Sequence, residues 1–214
     1  MITVNIAQRK ITFSRQEQGL ATGANARAAL KPEFQSAISA RTTKSRAVQT
    51  LSQSALERMI VKYSEQLVFQ PLHEIRHWFT YRAGAYIEPG YPPLFYSRGP
   101  NRTVSANKSA VATAGEGIAG FLAQRMSHCA KLPRPNHDYP DIVMESNSVT
   151  YLDAAKATLS SDIQSMLHEE LPRMASLVSS AGQLDSRSGR GLLIGTQLES
   201  EVQYRCSLIA LALV

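Results

Sequence analysis

Asp141, Lys156 and Glu116 are the residues whose types and spacing could do chemistry. Pro140-Asp141 begins a short apolar run, Ile142, Val143 and Met144, and a second strand-like run from Val149 to Thr158 places Lys156 fifteen residues after the aspartate. A carboxylate on one strand, a lysine on its hairpin partner and Glu116 on the preceding helical stretch are the parts of a metal-dependent phosphodiesterase site. A phosphodiester is anionic and poorly electrophilic, so a hard divalent cation held by carboxylate oxygens must neutralise developing charge and help to ionise water. Magnesium or manganese suits that role. A lysine beside it orients the attacking water and favours its deprotonated form.

The elements that must position these groups can be read from periodicity. Leu56, Ile60, Tyr63 and Leu67 recur at helical spacing within Ser54 to Phe69, and Ser54 with Glu57 suggests a capping box at the start. A second helical piece runs from His73 to Arg82. Asn107 to Lys131 predicts the longest central helix, although Gly115, Gly117 and Gly120 lower its propensity. A hairpin follows, Asp141 to Glu145 and Val149 to Thr158, turning at Ser146-Asn147-Ser148. Next come a helix from about Ser160 to Ser180 with Pro172 inside it, a strand from Gly191 to Thr196, and a segment from Leu198 to Val214 that reads as helix or strand. Residues 1 to about 50 show weak periodicity and predict a partly ordered arm. Ala85 to Thr103, rich in Pro, Gly, Tyr and Arg, predicts a long structured loop.

The order helix, strand, strand, helix, strand, with acids on the helix and first strand and lysine on the second, resembles the PD-(D/E)XK nuclease superfamily. The resemblance covers roughly residues 107 to 196. It implies an α/β fold with a restriction-endonuclease-like core, a central mixed sheet of four or more strands flanked by helices, and a helical N-terminal region. The chain would then divide into a basic, DNA-binding segment, 1–104, and a nuclease core, 105–214. The resemblance also implies a ligand set: Asp141 as principal metal ligand, the backbone carbonyl near Ala155 as another, Glu116 bound directly or through water, and Lys156 as the catalytic cation.

One position departs from that pattern. Side chains two apart on a strand share a face, so the second acid belongs two residues before Lys156, and that position is Ala154. Asp153 is the nearest carboxylate and points to the other face of a regular strand. Three explanations stand side by side: an engineered Ala, a natural variant that uses a bulge to bring Asp153 round, or a dead site. Glu145, four residues after Asp141 and so on its face, is a weaker substitute. Singly, Asp141 reads as a strand-start residue, Glu116 as a solvated helix acid and Lys156 as an edge-strand guard. Only the site explains their order.

Composition limits the alternatives. The chain has 214 residues, two cysteines (Cys129 and Cys206) and a formal charge of +6. That is too few cysteines for a disulfide framework or a four-cysteine zinc site, and a reducing, cytoplasmic setting with no membrane association is the expectation. Between Met1 and Gln70 stand ten Lys/Arg against four acids, which accounts for the whole excess. Such an imbalance raises the local concentration of polyanions and suits nucleic acid or an anionic membrane surface, and the nuclease resemblance implies DNA as the partner. Arg98, Arg102 and Lys108 would suit phosphate contacts. Cutting both strands needs two sites or two visits, which a homodimer would supply.

A rival motif, His73-Glu74-Ile75-Arg76-His77, matches H-E-x-x-H, which on a helix sets two imidazoles one turn apart for zinc, with the glutamate as general base. Its third ligand would come from Glu88, His128 or His137, none with a supporting local pattern. A zinc peptidase and a non-catalytic nucleic-acid binder are therefore the two alternatives to a magnesium-dependent endonuclease.

Overall fold

The computed structural model describes residues 1–39, 41–66, 68–82, 86–89, 94–97, 106–132, 139–146, 148–160, 162–184 and 188–213. In chain order the elements are β1 (Ile2–Phe13), α1 (Arg15–Ala26), a short 3-10 turn (Ala28–Leu30), α2 (Lys31–Ser39), β2 (Thr42–Leu51), α3 (Gln53–Tyr63), α4 (Pro71–Arg82), β3 (Tyr86–Pro89), β4 (Leu94–Ser97), α5 (Lys108–Ser127), β5 (Ala130–Lys131), β6 (Ile142–Glu145), β7 (Val149–Thr158), α6 (Ile163–Leu184), β8 (Ser188–Leu198) and β9 (Gln203–Leu213). Among the described residues, seven strands make one mixed sheet in the order β2-β1-β9-β8-β7-β6-β5, and β3 with β4 forms a separate ribbon. The class is α/β, with helices on both faces of the sheet.

The predicted hairpin forms, with Ile142 opposite Asp153 and Met144 opposite Tyr151. β7 then runs parallel to β8 through the crossover helix α6, which continues through Pro172. The expected partly ordered arm is instead built into the sheet. β1 lies parallel to β9 and antiparallel to β2, and the last segment of the chain is a strand.

The reason for the weak periodicity of that arm is visible in its burial. At the start of β1 the even residues Ile2 and Val4 are buried with α3 and α5, whereas at its end Ile11 and Phe13 are buried on the other face with α1, α2 and α6. A strand whose buried face changes along its length has no single alternation to detect.

Capping also differs from the sequence reading. Ser52, rather than Ser54, caps α3, its side chain accepting from the Ala55 amide at 3.1 Å. Asn107 caps α5 by accepting from the amides of Ser109 and Ala110, and that helix stops at Ser127 because His128 turns left-handed, with φ of 53°. Most of the Ala85 to Thr103 segment, with Arg98 and Arg102, lies outside the described residues.

The glycines that weaken α5 as an isolated helix let it approach its neighbours. A Cβ on Gly115 would stand 2.4 Å from the Ala157 Cβ on β7, and one on Gly120 would stand 2.2 Å from the Tyr63 ring on α3. Tertiary packing thus outweighs propensity here. Gly115→Val should lower stability by about 2 kcal/mol through overpacking against β7, read as a shifted urea midpoint at unchanged slope; an unchanged midpoint would show that α5 does not pack this tightly.

Candidate active site

Alternation along β7 sorts its side chains. Leu152 and Ala154 pack with Leu167, Leu171 and Met174 beneath α6, whereas Tyr151, Ala155 and Ala157 pack on the α5 side. Lys156 follows Ala154 onto the α6 face, where its Nζ stands 3.0 Å from Glu170 Oε1. Asp141, just before β6, reaches across to β7 and accepts a hydrogen bond from the Ala155 amide at 2.6 Å. Asp141 and the Ala155 amide therefore meet, while Lys156, the next residue of β7, pairs with Glu170.

Glu170 is the residue that sequence reasoning missed. It projects from the middle of α6 into the region that a longer side chain at position 154 would share, and Ala154 is itself 1% exposed. Nothing local marks it, since Glu169-Glu170 reads as ordinary helix charge. Its Oε1 holds Lys156, while its Oε2 is buried without a hydrogen-bond partner, the Arg173 guanidinium standing 4.0 Å away. That guanidinium lies over the Tyr139 ring at 4.0 Å. The Tyr139 hydroxyl is likewise buried without a partner. Burial first, then the charges of Glu170 and Asp141, outweigh Arg173 and hold its pKa above the ordinary phenol range, so it remains an O–H donor. Native proteins leave few buried polar atoms unsatisfied, so these two groups beside an ion pair mark the α6 face of β7 as chemically unusual.

Asp153 does not enter this cluster. It faces the α5 side between Ile142 and Leu192, is 1% exposed, and neither carboxylate oxygen has a partner. β7 pairs without interruption from Val149 to Thr158 on its β8 side, so no bulge turns Asp153 round. Glu145 shares Asp141's face but stands at the far end of β6, about 13 Å away by strand rise. Glu116, 9% exposed on α5, accepts from the Glu65 amide at 3.3 Å and from Gln66 Nε2 at 3.5 Å, partners that lie after α3. It makes no hydrogen bond or ion pair to Asp141 or Lys156.

Among the described residues no group of three His, Cys, Asp or Glu side chains could hold a metal ion. Asp141 and Glu170 are the two carboxylates of this region, and both Glu170 oxygens face cations, Oε1 at 3.0 Å from Lys156 and Oε2 at 4.0 Å from Arg173. On α4 the Glu74 carboxylate accepts from Asn107 Nδ2, so the would-be general base of the rival motif is engaged by the cap of α5. His128 caps the far end of α5, and the side chain of Glu88 and all of His137 lie outside the described residues. Compared with protein-family models, with curated proteins and with solved structures, the chain matches none.

Burial and the neighbouring Asp141 carboxylate push the Asp153 pKa well above its ordinary value of 3.8. The folded state therefore binds a proton that the unfolded chain releases near pH 4. Stability contributed by that proton is full in acid and declines as pH rises from about 4 towards the raised folded pKa. Asp153→Asn should remove this decline. Urea unfolding between pH 4.5 and 8.5 in EDTA should show the variant gaining steadily on the wild type as pH rises; parallel curves would mean that Asp153 titrates normally.

Proposed function

We propose that the protein is a metal-dependent endonuclease that hydrolyses DNA phosphodiester bonds, with Asp141, Glu170 and Lys156 as its working groups. The observation that carries this reading is the ion pair of Lys156 with Glu170 on the α6 face, beside the Asp141 carboxylate fixed on the Ala155 amide. A helix-borne carboxylate stands where the strand offers only Ala154.

The element order supports the same reading. α5, β5, β6, β7, α6 and β8 follow one another, with the antiparallel hairpin in the middle and a parallel crossover after it. A magnesium or manganese ion held by Asp141, Glu170 and the Ala155 carbonyl would supply charge neutralisation at the phosphate and acidify water. Lys156, released in part from Glu170, orients the attacking water. Arg173, cationic over Tyr139, adds positive charge for a phosphate oxygen. The Tyr139 hydroxyl donates into the same space. A role in restriction or as an interbacterial toxin fits this chemistry equally.

Supercoiled plasmid with magnesium or manganese tests it. The wild type should nick or linearise the plasmid, and Lys156→Ala and Glu170→Gln should each lose about 100-fold or more, as expected for positioned proton-transfer and charge-stabilising groups. In the Glu170→Ala background, Ala154→Glu should restore part of the activity by returning the carboxylate to the strand. Silence from every form on both DNA and RNA would sink the nuclease reading. Stoichiometric zinc lost on His77→Ala would favour a peptidase.

A further inference from the structure

From the sheet face on the far side of α6 from Lys156, we infer a second, non-catalytic site that grips the phosphate backbone of duplex nucleic acid. β1 and β9 are interior strands, yet Asn5, Ala7 and Arg205 on them are exposed. Together with Arg46 and Val48 of the edge strand β2 they line an open groove of about 690 Å³. The start of α6 meets the margin of this region, where Gln164 and His168 bond Arg9.

The charges on this face oppose one another in a way that folding alone does not favour. Arg9 lies directly opposite Lys44 across the antiparallel β1–β2 pair, with Ala7 opposite Arg46. Asn5 lies beside Arg205 across the parallel β1–β9 pair. Like charges directly opposite on one face are destabilising. Arg9 is held only by neutral partners, His168 Nε2 at 2.9 Å and the Gln164 side chain. Among the described residues Arg9, Lys44 and Arg46 make no ion pair, and Glu199, paired with Arg205, is the one carboxylate against four cations. Lysine and arginine on β2 could serve simply to block edge pairing. That role does not account for Arg9 or Arg205, which sit on interior strands.

The shape and chemistry select the ligand. Adjacent strands lie about 4.8 Å apart, and residues two apart on a strand about 6.8 Å, so Arg46 and Arg205 in the groove, with Lys44 and Arg9 one register step further along β2 and β1, present cations over three strands for several phosphates. The groove has no aromatic side chain, so bases find no stacking platform, which points away from single strands. Between Arg46 and Arg205 its lining is Asn5 with the small aliphatic residues Ile6, Ala7, Ala47 and Val48, and it carries none of the Trp, Phe or Leu that anchors a protein in a lipid interface. An open cationic strip of this kind suits the backbone of a duplex, held without reading sequence.

Fluorescence anisotropy with a labelled 30-base-pair duplex in EDTA tests the site apart from catalysis, so binding and the nuclease reading can fail separately. Lys44→Glu/Arg46→Glu should weaken binding tenfold or more and reduce the salt dependence of log K by about one for each phosphate that is no longer neutralised. The matched reversal Arg58→Glu/Lys62→Glu, on α3 at the opposite face, should have a smaller effect. Lys44→Gln/Arg46→Gln gives the same reading if the reversal disturbs folding by circular dichroism. Equal losses in the two reversals would overturn the site, as would binding unchanged by either, or tighter binding to phosphatidylserine vesicles than to duplex.

Discussion

Two helical layers cover different halves of one twisted sheet, and most of the molecule follows from that offset. α3 and α5 bury the even residues at the start of β1 and of β9, while α1, α2 and α6 bury the odd residues towards their ends. Hydrophobic burial is proportional to apolar area removed from water, so each strand places its large aliphatic side chains only where a helix lies over them. Where neither layer reaches, the strands can carry Asn5, Ala7 and Arg205 at little cost. The uncovered cationic face is thus a consequence of how the core is distributed.

The same layering positions the candidate active site. α6 lies close over β8 because Gly191 and Gly195 leave room for Met174, Val178, Ile163 and Leu167. That approach brings Glu170 down to Lys156. Ala154, small and buried, is the strand residue over which the helix settles. Ala154 packs with Leu167 and Leu171, and Glu170 lies between those two residues on α6. Asp141 holds the hairpin and the site together at once, since its hydrogen bond to the Ala155 amide fixes the carboxylate beside the strand that carries Lys156.

Buried polar groups separate function from architecture here. On the α6 side, Glu170 Oε2 and the Tyr139 hydroxyl lack hydrogen-bond partners but stand beside the partly exposed Lys156 and Arg173. On the α5 side Asp153 is sealed among aliphatic residues, where neutralisation by a proton is the physical response of a lone carboxyl. One residue of strand register decides between these environments. It is also why Asp153, one residue from the expected position in sequence, cannot take part without a bulge.

The sequence by itself determined the α/β class, the β6–β7 hairpin and a long helix before it, because period-2 and period-3.6 patterns are local properties, although α6, at 22 residues, is longer than the 20-residue α5 that the sequence predicts as the longest. It also predicted that Asp153 would face away. Tertiary structure alone decided the rest. β1 was illegible because its buried face changes midway, Glu170 because a helical acid becomes meaningful only through the strand it lies on, and the cationic face because Arg9, Lys44, Arg46 and Arg205 come from three strands distant in sequence. Contacts between elements far apart in the chain depend on which faces the helices cover, and no local pattern contains that information.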